Sequence, residues 1–113
     1  MANASGRVKV EYLKAKGENQ YIKVELYYAL GGINYFTYKN EPRGYYLSVS
    51  PVERRPCYGG MMESYTAISG VKALVEPCAR KGKGAEARAL AQYDEQKARM
   101  LAGFADMLEV DAA

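Results

Sequence analysis

The 113-residue chain has no histidine, and its two cysteines, Cys57 and Cys78, stand twenty-one positions apart. Without histidine it lacks the usual acid/base group at neutral pH, and no Ser/His or Cys/His nucleophile can be assembled. A structural zinc site wants four clustered Cys or His ligands, which two distant cysteines do not supply. Glu63, Ser64 and Glu76 fall at no catalytic spacing, and the cysteines read as free thiols. These residues point away from an enzyme. No metal, no cofactor and no small-molecule substrate is expected.

The chemistry that the chain does carry is aromatic and cationic. Ten of its eleven tyrosines fall between Tyr12 and Tyr65. Interleaved with them are Lys23, Lys39, Arg43, Arg54 and Arg55. Flat rings stack on nucleic-acid bases, and cations beside them neutralise phosphates. Tyr and Arg are equally the residues enriched where proteins meet proteins. The net charge of +3 is unevenly spread: residues 1–83 hold thirteen basic and seven acidic side chains, residues 84–113 three basic and six acidic. The basic part favours an anionic partner, and the acidic tail would repel one.

The elements that must position these residues follow from periodicity. At this length, with 49% hydrophobic residues, one domain spanning 1–113 is expected. No run is long and apolar enough for a membrane span, and the opening M-A-N-A-S-G-R has no apolar stretch, so a cytoplasmic location is expected. Residues 7–13 and 21–30 alternate as strands. Gly31-Gly32 reads as a hairpin turn, and residues 33–39 return as its partner strand. After a turn at 40–44, residues 45–52 form the next strand, residues 54–60 a loop, and residues 61–67 a further strand. The antiparallel sheet so predicted covers 7–67.

Two helices are then expected. Val71, Leu74, Val75 and Cys78 recur at helical spacing within 69–80. After a joint at Lys81-Gly82-Lys83-Gly84, residues 85–110 read as a long amphipathic helix. Its stripe of Leu90, Tyr93, Met100, Leu101, Phe104, Met107 and Leu108 is expected to pack on the sheet, on a second subunit, or on both. The fold class is α+β: a four- to five-stranded antiparallel sheet, a short helix, then a long C-terminal helix.

The segment I-N-Y-F-T-Y-K-N-E-P-R-G-Y-Y-L-S-V-S-P-V, residues 33–52, gives residues 21–80 a resemblance to a repeat of the Pur-alpha family, of the Whirly-like class of single-stranded nucleic-acid binders. Lys39, Asn40, Arg43, Gly44, Tyr46 and Val49 carry it: an aromatic strand ending in a Lys and an amide, an Arg-Gly turn, then an aromatic-to-valine strand. The resemblance implies a β-β-β-β-α unit that binds single-stranded nucleic acid, and a homodimer, since such units pair. The chain also looks like small accessory proteins of Gram-positive mobile elements.

Strand alternation turns this into residues. If Ile22, Val24, Leu26, Phe36, Tyr38, Leu47 and Val49 face the helices, then Tyr21, Lys23, Tyr27, Tyr35, Thr37, Lys39, Tyr46, Ser48 and Ser50 share the opposite face. The expected nucleic-acid site is Tyr21, Lys23, Tyr27, Tyr35, Lys39, Asn40, Arg43, Tyr46, Arg54 and Arg55. The sequence therefore predicts a single-stranded DNA or RNA binder, with a protein-interaction adaptor or self-assembling structural protein as the alternative.

Overall fold

In the computed structural model, which describes residues 6–35 and 37–109, the chain is an antiparallel five-stranded sheet covered on one face by two helices. The sheet strands are β1 (Arg7–Lys14), β2 (Gln20–Ala29), β5 (Gly44–Cys57), β6 (Gly60–Tyr65) and β7 (Val71–Pro77); a small hairpin of β3 (Gly32–Asn34) and β4 (Lys39–Glu41) extends the connection between β2 and β5. Strand order runs β1-β2-β5-β6, and β7 pairs with β5 on the same side as β6.

β2 and β5 form the spine because their alternation is the cleanest in the chain. Ile22, Val24, Leu26 and Tyr28 on β2 and Tyr45, Leu47 and Val49 on β5 are buried under the helices. The register that joins them, Val24 to Val49 and Leu26 to Leu47, keeps these apolar pairs on one face.

β6 and β7 run in effect as one edge strand along β5. β6 pairs with residues 52–57 and β7 with residues 44–49, leaving residues 66–70 to loop out opposite Ser50 and Pro51. Gly70 brings that loop against β5: a Cβ there would lie 2.5 Å from the Ser50 hydroxyl and 2.7 Å from the Val49 carbonyl oxygen.

The expectation of a helix over 69–80 is corrected by β7. Val71, Leu74, Val75 and Cys78 satisfy helical spacing, but residues 71–77 find their backbone partners along β5. The loop expected over 54–60 shrinks to Tyr58 and Gly59, because β6 pairs Arg54, Arg55, Pro56 and Cys57 into the sheet.

The strand expected over 33–39 also fails. The chain turns between β3 and β4, with Tyr38 at a φ of 57° and 82% exposed, so Tyr38 is no core residue. Phe36 lies outside the described residues.

The long helix over 85–110 is interrupted. α1 (Lys83–Ala91) and α2 (Tyr93–Leu101) break at Gln92, and a 3-10 helix (Ala102–Met107) follows through Gly103 with Phe104 off helical geometry. Gln92 spends its side chain on the sheet, donating from Nε2 to the Val75 carbonyl at 2.6 Å. The predicted stripe packs inward: Tyr93 and Phe104 are buried, Met100, Leu101, Met107 and Leu108 lie against the same core, and Leu90 is exposed. No helix among the described residues is long and apolar enough to cross a membrane.

Candidate binding face

The face opposite the helices starts from β2, where Tyr21, Lys23, Glu25 and Tyr27 point away from the core. β1 adds Tyr12, opposite Lys23, and Arg7, opposite Tyr27. β5 adds Tyr46, Ser48, Ser50 and Arg54, and β6 adds Glu63 beside Arg54. The predicted sharing of this face by Tyr21, Lys23, Tyr27, Tyr46, Ser48 and Ser50 matches the observed register. Tyr35, Thr37 and Lys39 instead belong to the β3–β4 hairpin, beyond the sheet.

Lys23, Arg7, Arg54 and Lys72 on this face are held by carboxylates of the same chain, while Lys14 donates to the Ala15 and Gly17 carbonyls at 2.8 Å. Lys23 lies 2.8 Å from Glu63 and 3.7 Å from Glu25, and Arg7 lies 2.8 Å from Glu25. The Arg54 guanidinium sits 3.6 Å from Glu63 and 4.0 Å above the Tyr12 ring, and the Tyr12 hydroxyl donates to Glu63 at 2.6 Å. Lys72 of β7 pairs with Glu41 at 2.9 Å and lies over the Tyr46 ring. On the rim, Arg55 pairs with Glu53 at 2.7 Å.

Burial and charge shift these groups in consistent directions. Burial alone would raise the Glu63 carboxyl, but hydrogen bonds from Lys23 and Tyr12 and the nearby cations hold it below its ordinary range. Burial would likewise lower Lys23, yet Glu63 and Glu25 keep its ammonium above the ordinary lysine value. Hydrogen bonds from Asn34 and Lys72 hold Glu41 low, and the bond to Glu41 raises Lys72.

The rings are also committed. Tyr27 and Tyr46 stack on each other with centroids 6.0 Å apart, and the Tyr46 hydroxyl donates to the Pro42 carbonyl. Tyr46 is only 5% exposed, so it offers no free stacking surface. Tyr21 meets Tyr12 edge-on, with Lys14 over its own face.

Arg43, expected to meet phosphate, braces the hairpin base by donating to the Leu30 and Ala79 carbonyls at 3.0 and 3.3 Å. Of the ten predicted residues, Tyr35, Lys39 and Asn40 stand exposed together on the β3–β4 hairpin, apart from the rest.

What the face does offer is a groove of about 730 Å³ between the sheet and the 66–70 loop. Tyr27, Ser48 and Ser50 line it from the sheet, Tyr65, Thr66, Ile68, Ser69, Gly70 and Val71 from β6, the loop and β7, and Glu25 and Lys72 complete it. Its two charged groups are the ones already paired to Arg7 and Glu41.

Sequence reasoning gave no role on this face to Glu25, Glu41 and Glu63, which neutralise its cations, or to Tyr65, Ile68, Val71 and Lys72, which build the groove. Glu25 was legible, since period-two alternation puts it beside Lys23. Among the described residues no three His, Cys, Asp or Glu side chains gather where a metal ion would bind. No protein-family model, curated protein or solved structure matches this chain.

Proposed function

We propose that this protein is a protein-interaction module that takes an uncharged polypeptide segment in the groove of its helix-free sheet face. The observation that carries this reading is the internal neutralisation of the face. Lys23, Arg54, Arg7 and Lys72 each face a carboxylate of the same chain, so a phosphate backbone would have to displace Glu63, Glu25 or Glu41 to find a counter-charge.

A polypeptide faces no such barrier. The serine hydroxyls of the groove both donate and accept, which suits amide groups, while Ile68, Val71 and Tyr65 give apolar contact.

Selection of a random-peptide display library on the immobilised protein tests this, with Ser48→Arg as the groove-filling control. Neutral, apolar-containing sequences enriched on the wild type and lost on the variant are the expected result. Equal enrichment on both, or none, overturns the reading.

A second reading rests on the hairpin, where Tyr35 and Tyr38 are 77% and 82% exposed next to Lys39. Exposed rings beside a cation suit stacking on a single strand. On this reading any oligonucleotide binding is lost with Tyr35→Ala and Lys39→Ala, and is insensitive to Ser48→Arg.

A further inference from the structure

The sheet has three edges, and two of them carry the charged or proline residues that blunt an edge. β1 carries Arg7, Lys9 and Lys14, and just past it the Lys16 amide donates to the Met107 carbonyl at 2.8 Å and the Glu109 amide to the Lys14 carbonyl at 3.1 Å. β7 carries Lys72, Glu76 and Pro77, and the Gln92 side chain occupies its Val75 carbonyl. β6 has neither basic residue nor proline: it pairs with β5 on one side, and among the described residues no backbone bond to its other side is seen. All six of its residues are exposed, Met61 and Met62 at 52% and 55%. Natural edge strands are usually blunted by lysine, proline or an inward charge. The only charge on β6, Glu63, is already consumed by Lys23 and Arg54.

We infer that β6 pairs antiparallel with β6 of a second copy of this chain, joining the two sheets across a two-fold axis at Met62. The occupant follows from charge. Glu63 is spent within the chain, and the neighbouring Arg55 is spent on Glu53. The edge therefore offers a partner no unpaired charge to match among the described residues, only outward backbone groups and methionines, and a second β6 complements it in both respects. Such a contact is self-complementary and closes, as two-fold interfaces do.

Charge also selects the register. Opposed residues in an antiparallel pair lie on the same face, so a two-fold axis must fall on a residue. An axis on Glu63 sets two carboxylates directly opposite, which is destabilising. An axis on Met61 reaches into the Tyr58–Gly59 turn and leaves Ser64 and Tyr65 unpaired. The axis on Met62 pairs Gly60 with Ser64, Met61 with Glu63, and Met62 with its own copy, where flexible thioether side chains pack readily. The two grooves, each bordered by Tyr65, then lie on one continuous surface. This assembly is independent of what the grooves bind.

Light scattering and sedimentation of the full chain over a concentration series test the proposal, with Met62→Lys as the variant. Two ammonium groups brought together at the axis should raise the dimer dissociation constant at least about ten-fold, with the circular dichroism spectrum unchanged. A wild type that stays monomeric throughout, or a folded Met62→Lys that dimerises as tightly as the wild type, overturns it. Should the variant fail to fold, amide exchange of wild-type residues 60–64 decides. Slower exchange at high protein concentration than at low supports the β6 contact, and no dependence on concentration refutes it.

Discussion

The Tyr12 hydroxyl donates a 2.6 Å hydrogen bond to the Glu63 carboxylate, joining β1 to β6 across the two strands between them. Three strand spacings amount to about 14 Å, more than a tyrosine and a glutamate span on a flat sheet, so the sheet curls toward its helix-free face here. Lys23 and Arg54 lie inside that curl and reach Glu63 before any ligand does. One carboxylate thus both shapes the face and removes its charge.

Removing that carboxylate should be costly. Glu63→Ala leaves the buried Lys23 ammonium without its nearest partner and releases Tyr12 and Arg54. Loss of hydrogen bonds to charged groups suggests a cost of about 2–3 kcal/mol, with Tyr12→Phe costing about 1 kcal/mol. Thermal or urea unfolding measures both, and a cost for Glu63→Ala within about half a kcal/mol would show that the network is decorative.

The same network sets the behaviour in acid. Glu63, Glu41 and Glu11 all have carboxyls held below the ordinary value, Glu11 by hydrogen bonds from Lys97 and Tyr93. A carboxyl depressed in the folded state contributes stability that is fully present above its unfolded pKa and is lost as pH falls through the folded one. Stability should therefore drop below the ordinary carboxylate range. Glu63→Gln should be less stable at neutral pH and lose less on acidification, as urea midpoints across pH would show.

At the alkaline end the sign reverses. The Tyr93 phenol is pushed well above its ordinary value by burial, then by its bond to Glu11. A raised group contributes stability that is present below its unfolded pKa and lost as pH climbs through the folded one. Tyr93→Phe should therefore flatten the loss of stability above about pH 10.

Tyr35 and Tyr46, alike as stacking candidates in the sequence, should part company on mutation. Tyr46→Ala removes a ring that is 5% exposed and stacked on Tyr27, at a cost of about 3–5 kcal/mol, as for buried aromatic residues. Tyr35→Ala removes an exposed ring and should shift stability by less than about 0.5 kcal/mol. Equal effects in unfolding experiments would show the face to be misassigned.

Gly70 should resist any side chain. Its Cβ would meet both Ser50 and Val49, so Gly70→Ala should cost about 1–3 kcal/mol, as overpacking does. It should also displace the 66–70 loop that walls the groove, weakening peptide capture more than a distant variant of equal stability.

The alternation of β2 and β5 was legible because both faces are sharply divided, and it placed Lys23, Tyr27, Tyr46 and Ser48 correctly. β7 was not, because Val71, Val75 and Cys78 fit helical spacing as readily as a strand. What decided it was the free side of β5, which the local sequence does not display. The α1–α2 break was hidden for a similar reason: Gln92 reads as a helix former until its side chain is seen on Val75. The charge pairing was least visible, since Lys23 and Glu63 are 40 positions apart and meet only once the sheet has curled.

The central claim, that the sheet face is neutralised from within and receives polypeptide rather than nucleic acid, is tested most directly by fluorescence anisotropy. A labelled single-stranded oligonucleotide is titrated with the wild-type protein at low ionic strength, then across a salt series. No saturable binding to the sheet face is expected, so that any signal present is unchanged in Lys72→Ala. Saturable binding that falls steeply with salt and weakens in Lys72→Ala, with Tyr35→Ala unaffected, would contradict it.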